Sequence, residues 1–167
     1  AVAAVALLAT AVEAQIVTLP TGLGPGEEYR LVFFTSTDTT GASTDIANYN
    51  TFVSGVAAAD TALNALGATW SAIASTSAVD ARDNIASAPF VSIYNLVDAK
   101  VAVDNADLWD GVTVTGDPLL EPIMNDLGTT ANSGYIWTGT TYDGVAGVPL
   151  GSGANPTMGD TSVTHWN

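Results

Sequence analysis

The sequence predicts an α+β fold with one long helix, several short antiparallel strands and long loops. Three features point there. A β-branched and aromatic run covers 29–36, one stretch of helical periodicity over 45–66 is flanked by capping residues, and short apolar runs between turn residues follow from Ala81 onward.

The elements follow in chain order. Residues 15–28 carry Pro20, Gly22, Gly24, Pro25 and Gly26, which is turn chemistry and marks a connector. Its Gly-x-Gly spacing is no nucleotide loop, because it contains Pro25 and leads into a strand. Tyr29-Arg30-Leu31-Val32-Phe33-Phe34-Thr35-Ser36 reads as a buried strand. Thr44 or Asp45 supplies an N-cap for the helix, and Gly67 is placed to end it. Ile46, Tyr49, Val53, Val56, Ala57 and Leu63 form its apolar face, expected to pack on the strands at 30–36 and 134–140. Gly55 weakens the helix and suggests a close packing contact there. Trp70-Ser71-Ala72-Ile73-Ala74-Ser75 alternates like a strand. Beyond Ala81 the chain reads as loop-rich, with short runs at 90–94, 101–103, 134–141 and 163–166. The domain spans 29–167 and shows no internal repeat.

Composition narrows the function classes. Only Arg30, Arg82 and Lys100 oppose 17 acidic residues, a formal charge of −14. Such a chain repels phosphate backbones and anionic membrane surfaces, so nucleic acid is not an expected partner. With no cysteine there is no disulfide frame, thiolate zinc site or cysteine nucleophile. Abundant Thr, Ser, Gly and Asn with a single Lys suits an extracellular or cell-surface location.

Residues 1–14 form an apolar N-terminal segment. Its first twelve residues are almost wholly apolar, and Val12-Glu13-Ala14 resembles a small-x-small processing site. The segment reads either as the remnant of an export signal or as an assembly segment. In the second case Val2, Val5, Leu7, Leu8 and Val12 bury themselves in a neighbouring subunit. At about 1.5 Å per residue, twelve helical residues fall far short of the roughly 30 Å hydrocarbon core, so no membrane span is expected.

Among candidate sites, Asp104, Asn105, Asp107 and Asp110 offer the best oxygen cluster for calcium. Ala106 breaks the spacing of a helix-loop-helix calcium loop, and the same carboxylates suit turn caps, with Arg82 pairing to one of them. Leu108 and Trp109 beside them read as core anchors. Thr37, Thr39 and Thr40, in a Thr/Ser-rich loop, offer acceptors for O-linked sugar. His165 is the lone histidine and there is no Gly-x-Ser-x-Gly elbow, so no nucleophilic triad is expected.

Several strings, in order, resemble a family of bacterial extracellular domains related to endostatin and the C-type-lectin-like fold. They include Leu31-Val32-Phe33-Phe34-Thr35-Ser36-Thr37, Leu66-Gly67-Ala68-Thr69-Trp70-Ser71-Ala72, Asp80-Ala81-Arg82-Asp83-Asn84, Ala106-Asp107-Leu108-Trp109-Asp110-Gly111 and Ile136-Trp137-Thr138-Gly139-Thr140. The resemblance covers about 29 to 166 and implies a C-type-lectin-like or endostatin-like architecture. Calcium lectins bind sugar through a Glu-Pro-Asn-like loop and a Trp-Asn-Asp-like strand; Glu121-Pro122 and Trp166-Asn167 match these only in part, with Ile123 in place of the amide ligand. The sequence therefore leads to a non-enzymatic secreted structural subunit whose partners are copies of itself. The alternative is a monomeric carbohydrate-binding adhesin that takes polysaccharide. No cofactor is expected beyond calcium.

Overall fold

The computed structural model describes residues 16–110, 124–129 and 138–152. Residues 134–137 of the expected strand at 134–141 lie outside them, as do the expected strand at 163–166, His165, the Glu121-Pro122 and Trp166-Asn167 pairs, and the assembly residues at 1–12.

The fold is mixed α+β. Strand β1 (Tyr29–Val32) is followed by helices α1 (Ile46–Ala59), α2 (Thr61–Ala65) and α3 (Ala81–Asn84), strands β2 (Ser92–Asn95) and β3 (Lys100–Ala102), and a 3-10 turn at Asp107–Trp109. The sheet order is β1-β2-β3. β1 and β2 run parallel, with Tyr29 opposite Ser92 and Val32 opposite Asn95, while β2 and β3 are antiparallel. The expectation of an antiparallel sheet thus holds for one pair only. A parallel neighbour needs a long crossover, and the three helices lie within it.

The helix expected over 45–66 is divided at Asp60. That residue is extended (φ −84°, ψ 130°), closes α1 and caps α2 by accepting from Ala62 N (2.9 Å) and Leu63 N (2.8 Å). A side chain that can bond the next two backbone donors competes with helix continuation. At the other end Asp45, not Thr44, is the cap, accepting from Ala47 N at 3.0 Å. The apolar face is largely as expected: Tyr49, Val53 and Ala57 are buried, and Ile46 and Phe52 pack against the cluster that holds Tyr49 and Val53. Among the described residues no atom lies within 4 Å of a Cβ built at Gly55, in place of the close contact expected there.

Residues 81–84, expected as loop, form α3. Its N-cap Asp80 does not cap the helix through its side chain and instead accepts from Ala146 N at 2.8 Å. The connector is docked rather than free. Val17 N donates to Leu96 O (2.8 Å), Thr21 N to Asp98 Oδ1 (2.7 Å), and Ile16 packs against the cluster of Ala57, Leu63, Leu96 and Met124. A second cluster joins Tyr49, Val53, Ala72, Ala74 and Leu150, and a third joins Val32, Ile93, Val101, Ala102 and Leu108. Trp109 packs on the third, so Leu108 and Trp109 serve as core anchors.

Candidate functional site

Strand β1 lies at one edge of the sheet among the described residues, and a groove of about 460 Å³ runs along it. Every residue from Tyr29 to Thr35 touches the groove. β1 itself ends at Val32, and beyond it Phe34 pairs in parallel with Asn125, Phe34 N donating to Met124 O (3.1 Å) and Asp126 N to Phe34 O (3.2 Å). A second continuous run, Ala68 to Ile73, also lines it, as does Thr138. Val53, Ile93 and Leu108 form part of its floor, and Ala68, Thr69 and Ser71 are exposed at its mouth.

The 68–73 wall is held by a polar bracket. Ala72 N donates to Asn50 Oδ1 (2.8 Å), and Asn84 Nδ2 donates to Ala72 O (2.7 Å). The two amides also bond each other, Asn50 Nδ2 to Asn84 Oδ1 (2.9 Å) and Asn84 Nδ2 to Asn50 Oδ1 (2.8 Å). Both backbone groups of Ala72 are thus taken by side chains from α1 and α3. Ala72 therefore makes no ladder bond, whereas at the end of the run Ser75 N donates to Thr138 O (3.0 Å) and Ser75 O accepts from Leu150 N (2.9 Å). Trp70 then meets Phe33 edge-to-face at 5.0 Å and 79°, joining the two walls.

At one end sits the single charge of the lining, Arg30. Its guanidinium donates to Ile85 O, to Ala86 O (3.1 Å) and to Asn105 Oδ1 (3.4 Å). These acceptors fix it against the chain. The lining holds no carboxylate, histidine or lysine among the described residues. The described lining suits apolar groups.

The acidic loop behaves as a set of turn caps. Asp104 Oδ1 accepts from Ala106 N (2.9 Å) and Asp107 N (3.1 Å), its Oδ2 accepts from Phe90 N (3.4 Å), and Asp107 Oδ2 accepts from Val103 N (2.8 Å). The Asp107 N–H, with those of Phe90 and Ala106, holds the Asp104 carboxyl below its ordinary value. Asp110 is exposed. Among the described residues no group of three or more His, Cys, Asp or Glu is arranged to hold a metal ion. Arg82, expected to pair with this cluster, acts on Asp143, whose carboxyl is held low chiefly by the Thr141 hydroxyl. Thr37 and Thr40 are exposed and Thr39 is half-buried.

The sequence reading names no residue of this groove as a site. Phe33 and Ser71 appear there only within strand-like runs. The only local hint is the continuous apolar run at 31–34, more than a half-solvated edge strand needs. No family model matches the chain, and no curated protein and no solved structure is detectably similar to it. No described helix is long and apolar enough to cross a membrane.

Proposed function

We propose that this chain is a non-enzymatic extracellular structural protein, a subunit of a secreted fibre or surface layer that assembles with copies of itself through residues 1–12. One observation supports the reading above the others. The chain has an apolar groove lined in part by β1, and it also has an uncharged apolar run of a dozen residues. Exposed edges and apolar grooves are interaction surfaces. Burying about 400 Å² of apolar surface at each contact contributes on the order of 10 kcal/mol before association costs. A head-to-tail contact that does not close on itself yields an open filament. The strongly acidic remainder keeps individual subunits soluble.

Electron microscopy of the 167-residue protein tests this, beside a chain beginning at Gln15. Fibres or sheets are expected from the first and dispersed particles from the second. Dispersed particles from both, with binding to a polysaccharide, would replace the structural role by that of a carbohydrate-binding adhesin.

A further inference from the structure

We infer that Asp143 is a modification site held in check: the Thr141 hydroxyl suppresses cyclisation of the Asp143 carboxyl onto Gly144 N, the step through which aspartate becomes isoaspartate.

Asp-Gly is the dipeptide least hindered for this reaction, because glycine has no side chain to shield its nitrogen. The chain holds two such pairs, Asp110-Gly111 and Asp143-Gly144. In the reaction Gly144 N bonds to Asp143 Cγ, and the carboxyl hydroxyl leaves as water with the amide proton. Water then opens the imide at either carbonyl. Opening at the main-chain carbonyl leaves the backbone running through Asp143 Cβ and Cγ, one methylene longer.

The turn at 141–145 opposes each requirement. The reactive carboxyl is the protonated one, since a carboxylate has no hydroxyl to expel. Thr141 Oγ1 donates to Asp143 Oδ1, and Arg82 adds a weaker attraction, so the carboxyl is held below its ordinary value. The hydroxyl has one proton, and Val145 O also lies within its reach (2.9 Å), but a charged oxygen is the stronger acceptor. The nucleophile is engaged too. Gly144 N donates to Thr141 O (3.0 Å), a bond that cyclisation destroys by removing the proton.

The glycine cannot be exchanged for a less reactive residue. Gly144 is buried with φ +78°, and a Cβ there would lie 2.8 Å from the Trp109 ring and 2.9 Å from Arg82 Cβ. Its carbonyl accepts from Arg82 N (3.1 Å), and Ala146 N donates to Asp80 Oδ1 (2.8 Å), so the turn is pinned to the start of α3. A backbone lengthened at Asp143 does not fit this seat against Trp109. Protection therefore falls to Thr141.

The 167-residue protein and its Thr141→Val and Thr141→Ser variants are incubated at mildly acidic pH. Isoaspartate is then read at both Asp-Gly pairs by chromatography and mass spectrometry of peptides. Valine keeps the branched shape and removes the hydroxyl; serine keeps the hydroxyl. Thr141→Val should accumulate isoaspartate at Asp143 several-fold faster than the unsubstituted chain, with Asp110 unchanged. Thr141→Ser should match the unsubstituted chain at both positions. An unchanged rate at Asp143 in Thr141→Val would overturn the inference. So would a rise at Asp110 as large as that at Asp143, the mark of a variant that is loosened or unfolded throughout, or an equal rise at Asp143 in Thr141→Ser.

Discussion

Replacing Asn50 with Ala removes three of the four hydrogen bonds in the bracket that holds the groove wall: those from Ala72 N, from Asn84 Nδ2 and from its own Nδ2. The amide orientation is fixed by the backbone, since Ala72 N needs an acceptor and Ala72 O a donor. At about 1 kcal/mol net per bond the loss is roughly 3 kcal/mol, because Ala72 is 1% exposed and water cannot readily replace the partner. With a urea slope of about 2 kcal/mol/M, the unfolding midpoint should fall by roughly 1.5 M. Asn84→Ala likewise removes three of the four bonds. The double variant removes all four, and two of these are common to both single variants. Its destabilisation should therefore fall short of the additive value by about 2 kcal/mol, read from a double-mutant cycle in urea. A single-variant loss below about 0.5 kcal/mol, or strict additivity, would refute the bracket.

Gly55→Ala should raise stability by about 1 kcal/mol, since the site is helical, exposed and open, and a lower melting temperature would contradict that. Gly151→Ala should destabilise by more than about 2 kcal/mol in the same assay, because φ is +82° and a Cβ would lie 2.7 Å from Ser43 O. Asp98, Asp104 and Asp143 all have carboxyls held below the ordinary value, Asp98 by Thr21. Their stabilisation is present above the unfolded carboxylate range and should be lost as pH falls below about 4, measured as a falling melting temperature. Asp104→Ala should lower the melting temperature by the same amount in calcium and in chelator. A loss seen only in calcium would make the acidic loop a metal site.

Local signals were legible in the sequence where local physics decides. The apolar run at 29–36 gives β1, and Asp45 before a helical period gives the start of α1. The break at Asp60 was masked because Ala and Leu continue the period on both sides, although an Asp followed by Thr-Ala-Leu is itself a cap signal. Helix α3 has four residues, too short for periodicity to register. The parallel pairing of β1 with β2 and the groove depend on contacts between segments far apart in sequence. The role of Asn50 in taking the Ala72 N–H shows it well: nothing near residue 50 hints at a partner 22 positions on.

Sedimentation velocity of the 167-residue protein beside its Leu7→Asp/Leu8→Asp variant tests self-assembly most directly. Two charges placed in an apolar contact without partners are strongly unfavourable there. The unsubstituted chain should sediment as large, concentration-dependent polymers and the variant as a folded monomer of about 17 kDa. Identical profiles for the two proteins, whether both polymeric or both monomeric, would contradict assembly through residues 1–12.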